Sequence, residues 1–189
     1  MIIGLYFGSF NQIHVGHLII ANHIANNTDL EQVWFVVSPH NPFKLKDSLL
    51  NKYHRKYLID IAIDGEKKLK TSTIEFSLPI PSYTIDTLTY LKEKYPSYIF
   101  SVIMGSDSFQ NITKWKNYEM LISKYQVLVY ERTGFKSENN LNKNIISLKA
   151  PLLDISSTRI REMIKKGESI KFLVPDVVKE EIEKNHYYK

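Results

Sequence analysis

Short apolar runs rich in β-branched and aromatic residues alternate along the chain with longer amphipathic stretches, the pattern of βαβ units around a parallel sheet. Residues 2–7 form an unbroken apolar run, as in a strand buried on both faces. A loop opens at Gly8, a helix is expected over residues 15–26, and residues 32–37 read as the second strand. The polar loop at 38–44 leads to a helix capped near Asp47 or Ser48 that runs to about Asp64. A short strand is expected over residues 71–76, a helix from near Ser82 that Pro96 halts, and a strong strand over residues 98–104. After Gly105 two short helices are expected around Trp115, then a strand over residues 125–130. The polar stretch 132–143 reads as a surface loop, and residues 145–148 as one more strand. Two helices close the chain, one capped by Ser156 or Ser157 and ending at Gly167, the other starting near Pro175. The expected fold is α/β: an open, doubly wound parallel sheet with C-terminal helices, residues 1–189 forming a single domain without repeats or long linkers. Such folds bind ligands beyond the carboxyl ends of the strands. The loops after Phe7, Val37, Met104 and Tyr130 are therefore where chemistry is expected.

Composition narrows the class. At 189 residues, with 43% hydrophobic and 24% charged, the chain has the make-up of a globular protein, and Gly 7 with Pro 7 excludes a low-complexity one. Its apolar runs are too short to span a bilayer, so no membrane partner is expected. Met1 leads straight into a strand-like run with neither a basic segment nor a cleavage site, so no secretory leader is expected. Cys 0 removes disulfides, thiolate metal sites and a cysteine nucleophile, and fits a cytoplasmic location. The net charge of +5 raises the question of which anion it serves.

Candidate chemistry sits at two helix starts. In Gly8-Ser9-Phe10-Asn11-Gln12-Ile13-His14-Val15-Gly16-His17 the glycine allows close approach to a phosphate, and His14 and His17 fall on the same side of a helical turn. Amide groups and the positive dipole end favour an anion there, to which both imidazoles can donate. A metal held by this histidine pair is the second reading, with no third ligand attached to it. His23, His54 and His186 read as structural. Lys44, in a proline-stiffened loop with His40, is a point charge suited to a triphosphate. In Ile155-Ser156-Ser157-Thr158-Arg159-Ile160-Arg161, small hydroxyls, amide groups and Arg161 make a seat for pyrophosphate oxygens, with Arg159 toward solvent.

Together, His14-Val15-Gly16-His17 and the 155–161 segment resemble the HxGH and ISSTxIR elements of the nucleotidyltransferase superfamily. The segments Pro81-Ser82-Tyr83-Thr84-Ile85-Asp86-Thr87-Leu88, Met104-Gly105-Ser106-Asp107-Ser108-Phe109 with Trp115, and Lys171-Phe172-Leu173-Val174-Pro175 narrow the resemblance to bacterial nicotinate-nucleotide adenylyltransferases. It covers essentially the whole chain. The resemblance implies a Rossmann-like nucleotidyltransferase fold and transfer of the adenylyl group of ATP to nicotinate mononucleotide, with release of pyrophosphate. It further implies that His14, His17 and Arg161 are catalytic, and that Gly8, Ser9, Phe10, Lys44, Gly105, Asp107, Ser157 and Thr158 contact ATP. Thr84, Trp115 and Arg132 would serve the acceptor, with the indole stacking on the pyridine ring. Mg²⁺ is expected with the triphosphate and no dedicated protein cage is expected for it. Many relatives read Gly-Thr-Phe-Asp-Pro in the first loop. Here Ser9 keeps the hydroxyl, whereas Gln12 replaces the stiffening proline. Phe43 stands where a histidine often precedes the lysine, and Thr133 breaks the frequent Arg-Pro-Gly.

Within the superfamily, nicotinamide mononucleotide is an alternative acceptor and phosphopantetheine a less fitting one. A nucleotide-binding regulator without turnover is opposed by the presence of both histidines and Arg161. Nucleic-acid binding draws on the net charge and on Lys52-Tyr53-His54-Arg55-Lys56-Tyr57, which reads instead as a solvated face with its tyrosines turned inward, so no nucleic-acid partner is expected. Oligomeric state stays open between monomer and homo-oligomer.

Overall fold

Strand β1 (Ile2–Gly8) pairs in parallel with β2 (Gln32–Val37) on one side and β4 (Ile99–Gly105) on the other. Beyond β2 lies β3 (Leu69–Ser72), and beyond β4 lie β5 (Gln126–Tyr130) and β6 (Ile145–Leu148), all parallel. The computed structural model describes residues 1–39, 49–132, 134, 142–151 and 153–189, and among these the sheet order is β3-β2-β1-β4-β5-β6. The crossovers are α1 (Val15–Asn27), α2 (Lys52–Ala62), α3 (Thr84–Lys94) and the pair α4 (Ser106–Phe109) and α5 (Tyr118–Lys124), with α6 (Ser157–Lys165) and α7 (Asp176–Lys184) closing the chain.

Strand side chains alternate between the sheet's two faces, and each face is covered. Tyr6, Val33, Phe35, Ile103 and Leu128 pack with Ile24 of α1, Leu58 and Ile59 of α2, Ile160 of α6 and Val178 of α7. Ile3, Leu5, Val36, Val102 and Val127 face the other way, against Leu88 and Leu91 of α3 and Leu121 of α5. This is the expected doubly wound α/β sheet. Its central strands are apolar on both faces, which is why they read as unbroken runs. Among the described residues no helix is long and apolar enough to cross a membrane.

Several boundaries differ from expectation. Helix α2 starts at Lys52, capped by the Asn51 side chain, which accepts from the Tyr53 amide at 2.9 Å. The expected caps, Asp47 and Ser48, lie outside the described residues. The expected strand at 71–76 is earlier and shorter. The Val33 amide donates to the Lys68 carbonyl at 2.8 Å, β3 begins at Leu69, and the chain leaves it for a 3₁₀ turn at Ile74–Ser77. Three short elements surround Trp115 rather than two: α4, a 3₁₀ turn at Ile112–Lys114, and α5. The tyrosines of α2 turn outward, Tyr53 at 61% and Tyr57 at 48% exposure, while Arg55 turns in.

Candidate active site

The strand order reverses between β1 and β4, and a cleft of about 740 Å³ opens at that point, lined by Tyr6, Phe7 and Gly8 and by residues 102–105. Both ends of the chain build its walls. The loop after β1 contributes Ser9, Phe10 and Asn11, and the start of α6 contributes Ser157, Thr158 and Arg161. Phe10 adopts φ 43° and lays its ring over Gly8, where a Cβ would stand only 2.9 Å from the ring. Glycine here makes room for Phe10 as well as for a ligand.

The two motif ends are clasped together. Ser157 Oγ donates to the Gln12 carbonyl at 2.9 Å, and the Arg161 guanidinium donates to the Asn11 carbonyl and, at 3.2 Å, to Thr158 Oγ1. Burial lowers the Arg161 pKa, though an arginine remains charged at neutral pH. Ser156 caps α6, its hydroxyl accepting from the Arg159 amide at 3.3 Å, while Arg159 itself is exposed as expected. The first amide of α1 is not open to an anion, because Val15 donates to the Leu173 carbonyl at 2.9 Å.

His14 and His17 stack, with ring centroids 3.7 Å apart and planes 25° from parallel. Gly16 permits this fold-back: a Cβ there would meet His14 Nδ1 at 3.0 Å. The two rings are not equivalent, since His17 lines the cleft whereas His14 is 4% exposed and lies behind it. Burial, helped by the positive charge of Arg132, pulls the His14 pKa down to about 4, so this ring is neutral at pH 7. Its Nδ1 has no hydrogen-bond partner among the described residues.

In the cleft wall Asp107 and Arg132 form an ion pair at 2.8 Å, and the Arg132 backbone amide donates to the Ser106 hydroxyl oxygen at 2.9 Å. Gly105 lies beneath the pair; a Cβ there would sit 2.5 Å from Asp107 Oδ1. Tyr6 and Tyr130 form a buried hydroxyl pair at 2.9 Å in the floor. The same cleft is lined by Thr84, the first residue of α3, and by the half-buried Trp115. Lys116 links the two segments: it pairs with Asp86 at 2.8 Å and lies 4.9 Å over the Tyr83 ring. Among the described lining residues, Lys114, Lys116, Arg132 and Arg161 outnumber the carboxylates Glu75 and Asp107. The net charge of the whole chain thus has a local expression in the cleft. Lys44 and its neighbour His40 lie outside the described residues.

The sequence profile of the Cytidylyltransferase-like family matches residues 5–163. The chain is 50% identical over its full length to the full length of a probable nicotinate-nucleotide adenylyltransferase of Flavobacterium psychrophilum. It is 49% identical to one of Cytophaga hutchinsonii, covering 100% of this chain and 98% of that one. The chain belongs to the nicotinate-nucleotide adenylyltransferase family. The fold agrees: nicotinic acid mononucleotide adenylyltransferase of Plasmodium falciparum, solved with NaAD, superposes with a TM-score of 0.86 at 25% identity, over 99% of this chain and 97% of that one.

Two residues of this family member escaped the motif reading. Arg55 is fully buried, and its guanidinium donates to four carbonyls: Ser9, Ser38 at 2.9 Å, Pro39 at 3.2 Å and Leu50 at 2.8 Å. It ties the loop after β1 to the loop after β2. Burial lowers its pKa to about 10, which leaves it charged at neutral pH. The signal was available, because Arg55 falls on the same stripe as Leu58, Ile59 and Ala62, at the i, i+3, i+4 and i+7 spacing of a buried helix face. Glu75, buried in the wall near Thr84, carried no comparable signal.

Proposed function

We propose that this cleft joins ATP to nicotinate mononucleotide, releasing pyrophosphate and nicotinate adenine dinucleotide. The observation that carries the proposal is the shared cleft: His17 and the start of α6 line it together with Thr84 and Trp115, in a family member. An oxygen of the acceptor's 5′-phosphate attacks the α-phosphorus of ATP, the bond to the bridging β-phosphate oxygen breaks, and the electron pair leaves on pyrophosphate. No protein nucleophile is required. His17 donates to phosphate oxygens as charge builds on them, and Arg161, Ser157 and Thr158 receive the departing pyrophosphate. His14, neutral and stacked, orients His17 from behind and turns toward phosphate when ATP fills the cleft. Asp107 accepts from ribose hydroxyls, which requires Arg132 to share or release it. Trp115 offers its face to the pyridine ring beside Thr84.

Mg²⁺ would be carried by ATP, and its charge would offset that of the triphosphate oxygens. Among the described residues no three His, Asp or Glu side chains gather to hold a metal, so the donor set here fits an ion carried by the nucleotide. The proposal takes residues 1–189 as one catalytic unit, since residues from Tyr6 to Arg161 build the cleft and Val178 and Ile182 of α7 pack into the same core. It places the enzyme in the cytoplasm, which the cysteine-free composition suits.

The test is acceptor-dependent pyrophosphate release by the purified protein with ATP and Mg²⁺. Nicotinate mononucleotide is expected to support release and nicotinamide mononucleotide to support it less well. Release with neither acceptor overturns the proposal, and preference for the amide reassigns the acceptor.

A further inference from the structure

Glu75 is 2% exposed yet contributes to the cleft wall, and the proposed chemistry leaves it without a task. A buried carboxylate needs hydrogen bonds in place of its lost water. Here each oxygen receives one hydroxyl: Ser82 Oγ donates to Oε2 at 2.6 Å, and Thr87 Oγ1 donates to Oε1 at 2.9 Å. Ser82 precedes Thr84 by two residues and Thr87 follows it by three, so the bonds bracket the first turn of α3. The amides of Asp86 and Thr87 close that turn onto the Tyr83 carbonyl at 3.0 and 3.1 Å. The carboxylate also lies at the positive end of α3, whose dipole favours it. From the other side, the Lys116–Asp86 pair ties the residue after Trp115 to the same turn. Thr84 is thus held between a buried clamp and a surface strut.

We propose that Glu75 is a positioning residue for the acceptor pocket: by clamping Ser82 and Thr87 it fixes Thr84 at a set separation from Trp115. The inference rests on the assignment of Thr84 and Trp115 to the acceptor. Glu75 touches neither substrate. Its loss therefore loosens the hold on the mononucleotide while ATP, assigned to the loop after β1 and the start of α6, is unaffected.

Steady-state kinetics of the full chain test this, with Glu75→Ala, Glu75→Gln, Ser82→Ala and, as a marker of the acceptor pocket, Trp115→Ala. Glu75→Ala is expected to raise KM for nicotinate mononucleotide about tenfold, as for the loss of one or two hydrogen bonds, with KM for ATP within about twofold. Glu75→Gln is expected to restore KM to within about threefold, because its amide oxygen accepts from one hydroxyl and its amide N–H donates to the other. Ser82→Ala removes one of the two bonds at a partly exposed position, and is expected to raise the acceptor KM alone by about threefold even where Glu75→Ala does not fold. If Trp115→Ala raises the acceptor KM while Glu75→Ala and Ser82→Ala do not, the role of Glu75 is refuted and the acceptor assignment stands. If both substrates' KM values rise together in the Glu75 and Ser82 variants, Glu75 is only structural. If Trp115→Ala leaves the acceptor KM unchanged, the assignment falls and the proposal with it.

Discussion

His14 makes the fold sensitive to mild acid. Its ring is neutral in the folded protein, with a pKa drawn from the ordinary 6.5 to about 4 by burial and by Arg132. Between these values the unfolded chain binds a proton that the folded one refuses, so stability is complete above about pH 6.5 and falls as pH drops toward 4. The loss amounts to about 1.4 kcal/mol at pH 5.5 and about 2.5 kcal/mol at pH 4.5. His14→Asn removes the titration and keeps a residue favoured at the helix cap that His14 occupies. Urea unfolding of wild type and variant at pH 7.5 and pH 5.5 gives the comparison. The pH-dependent loss is expected to be smaller in the variant by about 1.4 kcal/mol, since other groups titrate alike in both proteins. Equal losses would show that His14 is not held neutral by its surroundings.

Further outcomes follow from the same contacts. Arg55→Met leaves four carbonyls without their donor and is expected to destabilise by on the order of 4 kcal/mol, a fall in Tm of about 10 °C by calorimetry; a change under about 2 °C contradicts the tie between the two loops. Gln12 is fully buried and neither polar atom of its side chain has a partner among the described residues, so Gln12→Met is expected to stabilise by about 1 kcal/mol in urea unfolding; a loss of stability would mean that the amide is satisfied. His17→Ala is expected to lower kcat/KM by about 100-fold, as for loss of a transition-state donor, whereas His54→Ala, which removes a 2.8 Å bond and a ring contact to Tyr187, changes it by less than about threefold. Equal effects in the two variants would place the phosphates elsewhere.

The sheet was legible because its strands announce themselves. Residues 2–7 and 33–37 are apolar throughout, as a parallel sheet covered on both faces requires. Helix starts were less legible where the cap is local chemistry: α2 begins where the Asn51 side chain reaches the Tyr53 amide, a contact that the pattern of apolar positions does not encode. The site motifs were readable as spacing, and the cleft brings most of those residues to one place. Spacing could not separate His14 from His17, since which imidazole lies toward the cleft depends on a ring stack made possible by Gly16. It also could not pair Asp107 with Arg132, which are 25 residues apart and meet only when β4 and β5 align. Arg55 departs from the solvated face that its charge suggests, because it lies on the apolar stripe of Leu58, Ile59 and Ala62 and finds carbonyl partners inside.

The most direct measurement is a crystal structure of the protein bound to nicotinate adenine dinucleotide. The pyridine ring is expected against the Trp115 indole beside Thr84, the diphosphate at His17, and the adenosine ribose at Asp107. A pyridine ring lodged instead at Asp107 and Arg132, with adenine on Trp115, would contradict the assigned site.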